Sequence, residues 1–102
     1  MEKKSSESSA TTSSLVLGKA SSLVYGDRGT DYGHPAEDFA RTAALWSAIL
    51  GFPVDKKQVA LCMIAVKISR LHNSPHHVDS LVDIAGYAET YAMCLEREDQ
   101  LP

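Results

Sequence analysis

No apolar run in the 102 residues reaches the roughly 18–20 positions that a membrane span requires. The opening basic pair, Lys3 and Lys4, is not followed by an apolar stretch, which argues against a signal peptide. Nor is there a basic excess. Ten Lys and Arg against 13 Asp and Glu leave a formal charge of −3, too little to grip a nucleic-acid polymer. A small anion held by a few local cations is still compatible with that balance. The only two cysteines, Cys62 and Cys94, lie in apolar helical stretches without metal or redox spacing, so they are expected as small buried side chains in a reducing compartment. No β-strand signal and no internal repeat is present, and a chain this short buries a limited core, which favours support from self-association.

The residues that are present read as an all-α chain, a compact bundle of about four short helices. Residues 1–14 hold eight Ser or Thr, a composition that cannot repay ordering entropy and predicts a disordered tail. A single helical domain is expected over 15–97, with 98–102 as a C-terminal tail. Leu15, Val16, Ala20, Leu23 and Val24 recur at helical spacing, and Gly26 can end that helix. A loop with three glycines in eight positions follows, from Gly26 to Gly33. Pro35 suits the first position of a second helix, with Glu37 and Asp38 at its positive end. Phe39, Ala43, Trp46 and Leu50 line one face, and Gly51 and Pro53 stop the helix. Asp55 and Gln58 form a capping box for a third helix, with Val54 and Val59 as a hydrophobic staple. From Val59 to Val66 this helix is apolar all round and needs cover on several sides. It runs to about Leu71, with Asn73 near its end, and Ser74-Pro75 starts the fourth. On the fourth helix Val78, Leu81, Val82, Ala85 and Ala92 form one apolar face. Ile84, Tyr87, Ala88, Tyr91 and Leu95 form another, and the two predict a core contact and a subunit contact.

Three groups of residues could carry chemistry. Lys67 and Arg70 share a face of helix three, and Asp79 and Asp83 share a face of helix four, continued by Gly86 and Thr90. A short turn makes these helices antiparallel neighbours. The seam is either a register-setting ion network or an anion site whose cations the carboxylates orient. Two carboxylates could also hold Mg²⁺ through water. Gly86 inside a helix costs about 1 kcal/mol against Ala, which suggests close approach of a backbone or ligand. The glycine-rich loop, with Arg28, Tyr32 and His34 in or beside it, could wrap a phosphate with its amides or serve as a plain connector with Tyr32 in the core. It has neither Walker nor dinucleotide spacing. His72, His76 and His77 crowd the turn between helices three and four, but no further ligand stands at zinc spacing, so solvated turn residues are expected. No Ser sits in a nucleophile elbow. Glu37 and Arg41 form a helical i,i+4 pair, with Thr42 beside them as a hydrogen-bonding candidate for a ligand at an interface.

Three blocks carry a resemblance: Asp31-Tyr32-Gly33-His34-Pro35, Met63 through Leu71, and Asp79-Ser80-Leu81-Val82-Asp83-Ile84-Ala85-Gly86-Tyr87-Ala88. Together they resemble a widespread family of small phage proteins, akin to the anti-CBASS sponges that sequester cyclic oligonucleotides. That resemblance implies an all-α homohexamer in the cytoplasm of an infected bacterial host, serving immune evasion. It implies messenger pockets between protomers, with no cleavage of the messenger and no cofactor. An aromatic ring, Tyr25 or Tyr32, would stack on a base. Arg70 would be the foremost phosphate contact, with Lys67, Arg28, His34, Arg41 and Thr42 as further ligand-binding candidates and Asp79 and Asp83 as orienting or structural groups. MazG-type nucleotide pyrophosphohydrolases are a second likeness, also small, all-α and Mg²⁺-dependent. Their Glu-x-x-Glu and Glu-x-x-Asp pairs are missing, and Glu37, Asp38, Asp79 and Asp83 would have to substitute at other spacings. The third reading is a structural or partner-binding helical module.

Overall fold

The computed structural model describes residues 11–27 and 33–99, and every regular element among them is helical. Helix α1 spans Thr12–Ser22, α2 Pro35–Leu50, α3 Lys56–Asn73 and α4 Val78–Asp99. Helix α1 begins three residues before Leu15, inside the stretch expected to be tail, because Thr11 caps it by accepting the Ser14 N–H. Residues 1–10 and 100–102 lie outside the described residues. Past Ser22 the helix widens into a π-type turn over Leu23–Asp27, and Gly26 leaves helical geometry at φ −107° and ψ −108°.

The ends of α2 and the start of α3 follow the local chemistry. Pro35 occupies the first turn of α2, and Gly51 closes the helix in the left-handed conformation, φ 83°, donating its N–H to the Ser47 carbonyl. Asp55 accepts from the N–H groups of Lys57 and Gln58, while the Gln58 side chain accepts from the Asp55 N–H, completing the capping box. Ser47 ties the two helices across the turn: its hydroxyl donates to the Ala43 carbonyl at 2.7 Å and accepts from the Val54 N–H at 2.8 Å.

Helix α4 starts at Val78, not at Ser74-Pro75. Residues 74–77 form a separate turn in which the His77 N–H bonds the Ser74 carbonyl, and the His77 carbonyl then accepts from Ser80. Helices α3 and α4 make the most extensive contact as an antiparallel pair; α2 packs against both, and α1 lies along α4. Phe39, Ala43, Val59 and Ala60 are buried where α2 meets the pair, with Trp46, Val54, Met63, Tyr87 and Tyr91 packed around them. The Phe39 and Tyr87 rings sit 6.0 Å apart, tilted by 40°. Ala20 and Val24 bury the inner side of α1 and of the turn that follows it.

Most of the buried side chains are small. Leu50 is exposed, contrary to its expected place on the core face of α2, and so are Leu61 and Val66 on the apolar run of α3 and Ile68 just past it. The apolar faces of α4 also fall differently from the expectation. Val82, Met93 and Cys94 are buried and Tyr87 and Tyr91 half-buried, whereas Leu81, Ala88, Ala92 and Leu95 are exposed.

Candidate functional site

The antiparallel α3–α4 pair brings one half of the expected seam together. Lys67 extends from α3 to Asp83 on α4, Nζ to Oδ2 at 2.9 Å, with the lysine side chain only 12% exposed and the carboxylate 31%. A cation this enclosed and this closely paired is committed to holding the two helices. Arg70, three residues on, is rotated about 60° around α3 and leaves that contact. It is exposed and forms no ion pair with a described carboxylate. Asp79 is exposed in the first turn of α4. The four residues therefore do not form one site.

Arg70 instead lines a polar groove with Ser69, Asn73, Ser74 and His77, about 450 Å³ in volume, beside the turn that leads into α4. Every one of these five side chains can hydrogen-bond, and Arg70 brings a full positive charge with forked donors. His77 links the groove to the interior: its Nδ1 lies 2.7 Å from the Oγ of Ser80, a hydroxyl that is 1% exposed. That pairing was not legible in the histidine-rich turn, where all three histidines read alike; only Ser80, three residues past His77, hinted at it.

Two other hollows flank α4. An open cleft of about 670 Å³ separates it from α1, lined by Lys19, Asp79 and Asp83 with small and apolar side chains. Beneath it, Val24, Asp38, Phe39, Asp83, Gly86 and Tyr87 surround a narrow, mostly apolar slot. Gly86 borders the slot, and a Cβ built on it would meet Val24 Cγ2 at 3.5 Å. The close neighbour is a side chain from the π-type turn after α1, at ordinary contact distance.

The other candidates have local roles. His34 caps α2, its Nδ1 accepting the Ala36 N–H at 3.0 Å. Thr42 donates to the Asp38 carbonyl one turn back in α2. Arg41 is exposed and reaches Asp38 at 3.6 Å, while Glu37 pairs with Arg97 of α4 at 3.3 Å, so the expected Glu37–Arg41 pair is replaced by these two. Tyr25 is exposed and donates its hydroxyl to Glu89, and this bond raises its pKa above the ordinary tyrosine value. Lys57 bonds Glu98 at 3.1 Å, which holds its ammonium above its usual pKa. Tyr32 and Arg28 lie outside the described residues. No three His, Cys, Asp or Glu side chains gather to hold a metal among the described residues.

Residues 15–95 match the family described as Domain of unknown function (DUF6378). The chain belongs to that family. It is 40% identical over 85 residues to the Gene 55 protein of Mycobacterium phage D29, covering 83% of this chain and 54% of that protein. It is also 40% identical over 74 residues to the Gene 55 protein of Mycobacterium phage L5, covering 72% of this chain and 47% of that one. The chain thus stands among phage proteins and spans about half the length of these curated relatives. No solved structure matches it. Among the described residues no helix is long and apolar enough to cross a membrane.

Proposed function

We propose that this family member is a phage anti-defence protein that binds cyclic di- or trinucleotide messengers and sequesters them without cleavage. The observation that carries this reading is the Arg70 groove. An exposed guanidinium stands among Ser69, Asn73, Ser74 and His77 with no described carboxylate paired to it, a donor set suited to phosphate oxygens. The placement of the acidic groups favours binding over hydrolysis: Glu37 is paired with Arg97, Asp38 with Arg41 and Asp83 with Lys67. In this reading Lys67 holds the helix pair and Arg70 meets the phosphate. A tyrosine ring, that of Tyr25 or Tyr32, stacks on the base.

Calorimetric titration with cyclic di- and trinucleotides tests the proposal. Loss of one charge-assisted phosphate contact is about 1.5–3 kcal/mol, so Arg70→Ala should weaken binding roughly 10- to 100-fold. Circular dichroism should stay unchanged. Unaltered affinity in a folded Arg70→Ala chain refutes the assignment. Ligand released by heat after incubation with Mg²⁺ should return intact on chromatography. Recovery of linear or monophosphate products would instead establish the hydrolase reading, and absence of binding by every cyclic nucleotide would leave the partner-binding module.

A further inference from the structure

The α3–α4 pair has two broad faces. One is covered by α2. We infer that the opposite face is the surface through which two copies of this chain associate, helix pair against helix pair. The inference does not depend on the nucleotide reading, and the resemblance, which implies a hexamer, names no surface.

The face can be traced from the register. Lys57 pairs with Glu98 near one end of the two helices and Lys67 with Asp83 near the other. Between these ties Leu61 lies level with the turn before Leu95, and Ile68 lies level with Leu81. On α3 the spacing Leu61, Ala65, Ile68 and on α4 the spacing Leu81, Ala88, Leu95 each hold one side of their helix, four or three and seven residues apart. All six are exposed: Leu61 by 52%, Ile68 by 56%, Leu95 by 43% and Leu81 by 36%, with both alanines open to solvent as well. None is charged, so water meets an apolar plate across two adjacent helices.

Size and shape select a second copy as the occupant. From Leu81 to Leu95 α4 runs about 21 Å, and two helices about 9 Å apart give a plate roughly 20 Å wide. Its corrugated accessible surface is on the order of 600–800 Å², close to the roughly 800 Å² that each partner contributes to a standard interface. The plate is also self-complementary. Large side chains stand at its two ends and alanines at its centre, so a two-fold axis through Ala65 and Ala88 sets alanine against alanine and lets the helices approach closely. The same axis brings Leu and Ile into contact at both ends. The exposed apolar residues at the end of α2, Leu45, Ile49 and Phe52, make a shorter patch that runs into a loop and lacks this symmetry.

Sedimentation of the full chain at up to about 0.1 mM tests the inference, using Ala65→Glu and Ala88→Glu. Both sites are exposed and glutamate is a good helix former, so helix content should be retained. The wild-type chain should sediment at no less than twice its 11.1 kDa mass. Each variant should fall to half the wild-type mass or lower, with association weakened by about 100-fold or more as carboxylates meet across the axis. Hydroxyl-radical footprinting of the wild-type chain reads the same face without substitution: Leu61, Ile68 and Leu95 should lose reactivity as assembly proceeds. A wild-type monomer, or folded variants of unchanged mass, would overturn the inference. So would a footprint in which these three side chains stay equally reactive in the assembled chain.

Discussion

Replacing Asp83 by Asn removes a charge and little else, which makes it a direct probe of the bond that joins α3 to α4. The Lys67 ammonium, 12% exposed, would keep its charge and lose its counter-ion at 2.9 Å. At an effective dielectric constant near 20 the pair attraction at that distance is about 6 kcal/mol before desolvation. Partial exposure of Asp83 and the cost of drying both groups reduce the net effect, and leaving Lys67 without its partner costs about 2 kcal/mol. For a domain of this size that lowers the melting midpoint by roughly 8–16 °C. Lys67→Met should be milder, about 1 kcal/mol or less, because the methionine stem fills the same apolar path and Asp83 can turn toward water. In the double variant the orphaned ammonium is gone, so it should resemble Lys67→Met alone, with a coupling energy of about 1–2 kcal/mol. Thermal unfolding followed by circular dichroism gives these values, at one protein concentration because association adds to apparent stability. Additive effects, or an Asp83→Asn cost below about 0.5 kcal/mol, would show that the pair is a solvated surface bridge.

Two titration and reactivity predictions accompany this one. The bond to Glu89 raises the Tyr25 pKa in the folded chain, so its contribution to stability is complete below about pH 10, the ordinary tyrosine value, and fades as pH climbs through the folded value. Ultraviolet titration should show one of the four tyrosines ionising later than the rest, and Glu89→Gln should bring it back into line; four coincident titrations would contradict the bond. Cys62 is exposed, while Cys94 is buried with its thiol pKa pushed up by that burial. A thiol reagent should therefore titrate one cysteine at once and the second only on denaturation, and equal rates would be the adverse result.

Local chemistry was the readable part of this sequence. The Asp55–Gln58 capping box and the stop at Gly51 involve residues within four positions of one another, and their partners can be named from spacing alone. The Lys67–Asp83 bond was legible for a similar reason, since a short turn leaves two helices little choice but to lie side by side. Arg70 was harder to place. It shares a broad face with Lys67, but a rotation of about 60° separates pairing with α4 from facing a groove, and spacing does not locate the neighbouring helix axis to that accuracy. The start of α4 slipped to Val78 because Ser74-Pro75 can open a turn as readily as a helix. Leu50, Leu61 and Val66 illustrate a different limit: apolar character states that a side chain gains by burial, not which surface provides it.

Helix α1 rests chiefly on α4 and on the turn that follows it, and only Ala20 and Val24 drive its inner side into the fold. Burial of one Val-sized and one methyl side chain contributes about 2–3 kcal/mol, less than the cooperative contact among α2, α3 and α4. The chain therefore has a built-in order of opening. Amides of 15–24 should exchange with deuterium through local detachment, while those around Val59 and Ala60 exchange only when the whole bundle unfolds. Such a detachment would widen the cleft that Lys19, Asp79 and Asp83 now line while leaving the Arg70 groove, on the other helix pair, undisturbed.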